Sequence, residues 1–363
     1  MTVTMTTTSR PSVRAIVLIA AALAVSLAAG CSSGSAAGPR LEVRAGAQDR
    51  ENCPVVFPAP DLPGDAAWGL LPPGGGEPIA FQRLAGDPPR AVFILDEPLA
   101  AGETRTYRFA PLPARSGRPN VETSVRPETI TVYRRGRPVL VYHQETVEPP
   151  AGADPVFRRS GFIHPLYTPS GKIVTDDFPP DHFHQHGVFF AWVDTVFEGR
   201  EVDFWNQAKK LGDVEHTAVR HTVSGPVFAE FEVSLRHIDK TAPGGPKAAL
   251  QETWTVRIYD TGGPFLVDFD SRQQTASSSP LLIRKFRYGG FAVRGAREWL
   301  GQPEADFLTS EGKTRADGNH TRPVWVEMHG LVDGSPAGIV VLSAPSNFRH
   351  PQPVRLHPSK PYF

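Results

Sequence analysis

Three histidines at alternate positions, His182, His184 and His186, follow Asp181 and lead into an apolar stretch from Gly187 to Val193. Successive side chains of an extended chain alternate sides, so the three imidazoles would share one face while Asp181 falls out of phase. Imidazole titrates near neutrality, which makes His184 and His186 candidates for general acid or base work. A His-x-His pair also places two nitrogens on one divalent metal ion, here His184 and His186, with His182, His164 or Asp203 as a third ligand. The apolar run is short and rich in aromatic and β-branched residues, so it predicts a buried strand that carries the histidines to the mouth of a core. Glu198-Gly199-Arg200 supplies a turn and Val202 to Trp205 a returning strand. That would bring Asp203, Trp192 and Trp205 up as a pocket wall.

A carboxylate joins this set from the segment Gln251 to Tyr259, where Glu252 shares its phase with Trp254, Val256 and Ile258. An acid on an apolar strand face is held in a structural pair, or has its pKa raised by desolvation, or opens into a cleft. A structural ion pair with an arginine and a catalytic base both fit. Between Ile283 and Phe291 cations alternate with aromatics, Arg287 and Tyr288 among them, which suits sugar or carboxylate binding and equally a basic strand edge. Gly289 and Gly290 there predict a bulge or a close backbone approach. His320 and His350, the latter beside Arg349, fall in loops, where function is often placed.

The elements that must position these groups read as strands. Proline and glycine number 37 and 33 of 363 residues, helical periodicity is nearly absent, and turn signals recur about every ten residues, so the chain reads as all-β. From Val227 to Arg236 the residues Val227, Ala229, Phe231, Val233 and Leu235 face one way and Glu230, Glu232, Ser234 and Arg236 the other, a strand with one wet face. Thr129 to Tyr133 and Pro138 to Tyr142 flank a turn at Arg134-Arg135-Gly136-Arg137, a β-hairpin. Strand-like pieces at 41–44, 91–95 and 104–109 sit among Pro/Gly-rich connections. They predict a small β-sandwich accessory domain over 41–112, a linker over 113–120, and a large antiparallel β-sandwich over 120–363.

Residues 1–30 read as a signal peptide: Arg10 and Arg14 precede an uncharged run from Ala15 to Ala29 that is too short for a spanning helix. Leu27-Ala28-Ala29-Gly30-Cys31 resembles a bacterial lipobox, which implies acylation at Cys31, a tether over 31–40 and an exported protein whose only membrane contact is a lipid anchor. Cleavage after residue 30 removes two arginines and no acid, leaving 36 basic against 38 acidic residues and a net charge of −2. Such a balance gives no reason to expect nucleic acid as a partner. Cys53 is then the one cysteine left, with no partner for an internal disulfide.

Six motifs together carry a resemblance: His182 to Trp192, Asp203-Phe204-Trp205-Asn206, Ile163-His164-Pro165-Leu166-Tyr167, Tyr288-Gly289-Gly290-Phe291, Thr309 to Lys313, and Asn347-Phe348-Arg349-His350-Pro351. From about residue 120 onward the chain resembles the bacterial secreted family labelled "methane oxygenase PmoA", in a subgroup reading His-Gln-His-Gly at His184 to Gly187. The resemblance implies a β-sandwich of the supersandwich kind, found beside sugar-handling enzymes, and strands beyond Phe363, so that the chain reads as C-terminally truncated. With it three functions stand open. One is acid/base chemistry on a small-molecule sugar or oligosaccharide, by isomerisation, elimination or hydrolysis. In it His184, His186 and Glu252 are catalytic, and His164, His182, Trp192, Asp203, Trp205, Asn206, Arg287, Tyr288, Arg349 and His350 bind substrate. A second is a non-catalytic sugar-binding surface lipoprotein, and the third a metal-dependent enzyme. Methane oxidation is not expected, because the mature chain has no membrane-spanning segment.

Overall fold

Alternating burial along strands organises the chain throughout, as the composition requires. The computed structural model describes residues 39–63, 67–113 and 118–363, with backbone alone at 3–5, 12–16 and 25–27. The signal segment and Cys31 lie outside the residues whose side chains are described, as does most of the linker after Pro113.

Among the residues whose side chains are described, six strands come first: β1 (Arg40–Arg44), β2 (Cys53–Pro58), β3 (Trp68–Leu71), β4 (Ile79–Leu84), β5 (Arg90–Leu95) and β6 (Thr104–Pro111). They pair antiparallel in the order β1-β6-β3-β4-β5-β2. Leu41, Val55, Phe57, Phe93 and Tyr107 share one buried cluster, so strands far apart in the pairing order face each other across a common core.

The larger region opens with β7 (Val121–Val125), β8 (Thr129–Arg134), β9 (Arg137–His143), β10 (Phe162–Leu166) and β11 (Val188–Ala191). After the short β12 (Thr195–Phe197) and β13 (Arg200–Val202) come four long strands, β14 (Gly212–Val223), β15 (Phe228–Asp239), β16 (Lys247–Tyr259) and β17 (Leu266–Thr275). The chain closes with β18 (Leu281–Ile283), β19 (Gly290–Val293), β20 (Asp306–Thr309), β21 (Trp325–Val332) and β22 (Ser335–Leu342). One sheet runs β7-β8-β9-β10-β11-β19; the long strands β14 to β17 form a second, paired in chain order.

The two sheets pack face to face. Tyr142 of β9 meets Phe231 of β15 and Trp254 of β16, with ring centroids 5.4 and 5.9 Å apart. All five apolar side chains read between Val227 and Leu235 are buried, but the opposite face is not wholly wet, because Glu230 is buried too, paired with Arg257 and His221. Arg135 and Gly136 both have positive φ, as a two-residue hairpin turn of the primed kind requires. The fold is thus all-β, a sandwich of antiparallel sheets. Among the described residues no helix is long and apolar enough to cross a membrane.

Contact between the smaller and larger regions runs through Gln82. Its Oε1 accepts from the backbone N–H groups of Val227 and Phe228 at 3.2 and 3.1 Å, above a cluster in which Val92 packs with Phe228 and Tyr259.

Candidate functional site

The histidine segment is a turn rather than a strand. Two prolines, Pro179 and Pro180, precede it, and the His182 N–H bonds the Pro179 carbonyl while the Gln185 N–H bonds that of His182. β11 begins only at Val188, after Gly187 at φ +50°. A Cβ at Gly187 would stand 2.1 Å from the Ile163 carbonyl oxygen, so only glycine lets the chain enter the sheet here. Because the segment turns, its imidazoles diverge. His184 faces a pocket, whereas His186 is wholly buried, with Nδ1 2.7 Å from Asp177 and Nε2 3.4 Å from Gln207. His184 and His186 therefore do not share a face, and His186 does not reach the pocket.

That pocket, of about 250 Å³, is walled by His182, His184, Trp205, Tyr288, Arg355 and Tyr362, with Gln185, Asn206, Arg287 and His357 completing it. A buried guanidinium fixes its floor. Arg294, fully enclosed, donates to Asp181 at 2.8 Å and to the Gln185 side chain at 3.0 Å, pinning both ends of the histidine turn. Burial alone would raise the Asp181 pKa, but Arg294 outweighs it and holds the carboxyl down at about 2. On the opposite wall Asp203 accepts from the N–H groups of Trp205 and Asn206 at 3.0 and 2.8 Å and from the Asn206 amide at 2.8 Å. Asp203 thus shapes the turn that delivers Trp205 and Asn206 and touches the pocket only through them. Trp205 lies between Phe189 and Tyr288, 4.6 and 5.3 Å away, and its indole N–H has no partner among the described residues.

Burial pushes the His184 imidazole down to about 4, and the neighbouring His182 and His186 add to the shift. His357 is likewise pushed down to about 4 by burial and then by the positive charge of Arg355. At neutral pH both rings are uncharged bases. His182, His184, His357 and Tyr362 crowd together, His182 standing 5.5, 6.2 and 5.6 Å from the other three.

Other expected members lie elsewhere. Glu252 sits between the sheets, 1 % exposed, and lines neither this pocket nor a wider hollow of about 770 Å³ around Arg159 and His216. It accepts from His237 Nε2 and Trp254 Nε1 at 2.7 Å, from Gln273 at 2.9 Å, and from the Ser271 hydroxyl. Burial works to raise its pKa, but His237 and these donors outweigh it, so the carboxyl is held below its ordinary range. The expected convergence of His184, His186 and Glu252 on one cleft is therefore absent. Trp192 is no platform either, since its indole donates to Gln273 at 2.8 Å and so joins the Glu252 network. His164 bonds Thr175, His350 bonds Ser343, and neither they nor Arg349 line the pocket. Among the described residues no group of three or more His, Cys, Asp or Glu side chains is placed to hold a metal ion.

Three wall residues come from the C-terminal stretch, which the sequence reading passed over. Pro361 and Phe363 bond backbone to backbone with Gly295 and Val293 along the edge of β19, carrying Tyr362 over the histidines. The alternation Val354, Arg355, Leu356, His357 was a signal: Leu356 is fully buried, and Arg355 and His357 share the opposite phase.

A family model matches residues 129–362, which spans the sandwich from β8 onward and every wall of the pocket. The chain belongs to DUF6807, a family of unknown function. No curated protein matches it, and no solved structure does. The DUF6807 match includes the histidine turn, the Arg294 floor and the C-terminal wall, so the pocket lies wholly inside the family's own region.

Proposed function

We propose that this DUF6807 chain is an exported lipoprotein, anchored at Cys31, whose pocket binds a sugar and moves a proton on or off it. One observation carries the reading: His184, held as a neutral base with neither ring nitrogen hydrogen-bonded among the described residues, faces a cavity also walled by Trp205, Tyr288 and Tyr362. Aromatic rings offer apolar faces to a sugar ring, Asn206 offers polar contacts, and an unengaged imidazole can accept a proton. Isomerisation or elimination suits such a site. Hydrolysis by a pair of carboxylates does not, because no Asp or Glu lines the pocket.

That same lack of a lining carboxylate favours a second reading, a sugar-binding surface protein without chemistry. Kinship with the PmoA-labelled family and its His-Gln-His-Gly subgroup stays part of this proposal, while the label's activity does not. To decide between the readings, the purified chain and His184→Asn are incubated with a panel of oligosaccharides, following both turnover and binding. Turnover that falls roughly a hundred- to ten-thousand-fold in His184→Asn while binding persists supports the enzyme. Binding without turnover supports the surface protein, and neither overturns both.

A further inference from the structure

The pocket wall contains two arginines and no carboxylate. Several guanidinium groups elsewhere in this chain have acidic partners: Arg294 has Asp181, Arg297 has Asp176 and Arg135 has Asp260. Arg355 is different, since among the described residues no ion pair or hydrogen bond engages its guanidinium and its Nε is buried without a partner. The Arg287 side chain likewise meets no acid; its guanidinium lies over the rings of Phe286 and Tyr288, 5.8 and 5.7 Å from their centroids. Asp181, on the histidine turn, is already taken up by Arg294, His182 and Lys360. The positive field is felt by the lining groups: Arg355, His182, Lys360 and Arg315 all act to disfavour a proton on His357. A cavity with this charge is complementary to an anion.

Building on the sugar-site reading, we propose that the ligand is an acidic sugar whose ring carries a carboxylate, received by Arg355 and Arg287. A planar guanidinium matches a carboxylate with two parallel N–H···O bonds, which a hydroxyl cannot reproduce. The aromatic walls then hold the ring. A carboxylate brought beside His184 and His357 also favours a proton on each ring, against the burial that pushes both down, so ligand binding itself would strengthen His184 as a base.

The test is calorimetric titration of the full mature chain with methyl glucuronide, methyl glucoside, a sulfated methyl glucoside and inorganic sulfate. The glucuronide is expected to bind roughly ten- to a hundredfold tighter than the glucoside, the scale of a hydrogen-bonded charge pair, with a margin that shrinks as salt rises. Arg355→Gln should erase most of that margin, and Arg287→Gln, at an exposed position that folding does not depend on, should erase part of it. Equal affinity for glucuronide and glucoside, unmoved by either variant, overturns the carboxylate proposal and leaves the sugar site standing. A preference for the sulfated glycoside overturns it as well. Binding of inorganic sulfate with none of the glycosides overturns both the proposal and the sugar reading.

Discussion

His237 Nε2 stands 2.7 Å from Glu252 Oε2 with both side chains sealed off from solvent between the two sheets. A carboxylate so placed, with Trp254, Ser271 and Gln273 also donating to it, has its oxygens engaged in structural bonds. Glu252→Gln exchanges an acceptor for an amide that must turn N–H groups toward existing donors. Breaking a buried pair of this kind costs about 3–5 kcal/mol. The melting temperature should therefore fall by on the order of 10 °C. A thermal melt settles it: an unchanged midpoint with lost turnover would restore Glu252 as a catalytic group.

How much of this was legible in the sequence depends on whether local pattern or distant contact decided the outcome. β15 and β16 announced themselves because their burial follows the alternation of their own side chains, and Glu252 was correctly placed on the inner face. What no local pattern reports is which donors wait there, since His237 and Gln273 come from neighbouring strands. β2 was missed because Pro54 and Pro58 argue against a strand, yet it lies at the end of its sheet, where a missing N–H costs little. The histidine row misled for the opposite reason. Its spacing of two suggested a strand, but Pro179-Pro180 before it and the positive φ of Gly187 after it impose a turn. Arg355 and His357 are more than 160 residues from that turn in sequence, so their place in the wall depends on the return of the chain along β19.

Gly187 tests the turn directly. Alanine there must hold φ near +50° and drive its Cβ into the Ile163 carbonyl oxygen. The left-handed conformation alone costs of order 1–3 kcal/mol for a residue with a side chain, and the clash adds to it. Gly187→Ala should unfold at markedly lower denaturant concentration than the parent chain and lose ligand binding with it. Equal midpoints in urea would show that the chain can enter β11 by another route.

For the signal segment the expected outcome concerns modification rather than structure. Cys31→Ser should move the protein from the membrane fraction to the soluble fraction with its melting temperature unchanged. Metabolic labelling with a fatty acid checks this; a wild-type chain that takes up no label is secreted by simple cleavage instead.

Acid stability separates two sets of groups. His184, and His164 behind it, are pushed from 6.5 to about 4 chiefly by burial. A histidine whose pKa is lower in the folded chain than in the unfolded one takes its proton first in the unfolded chain. The folded state then keeps its full advantage above pH 6.5 and loses it progressively down to about pH 4, with a slope of up to about 1.4 kcal/mol per pH unit for each histidine. Asp181 acts lower down. Held at about 2 by Arg294 against 3.8 in the unfolded chain, it contributes stability above pH 3.8 that is lost as the pH falls through about 2. Melting temperature measured from pH 7 to pH 2 should therefore decline in two stages. His184→Asn and His164→Asn should each flatten the first stage and leave the second. Arg294→Met should remove the second stage and, because it strips the main partner from the Asp181 carboxylate, lower stability at neutral pH as well. A melting temperature that stays level between pH 6.5 and 4 would mean that these imidazoles are solvated, and with that the neutral base assigned to His184 would be lost.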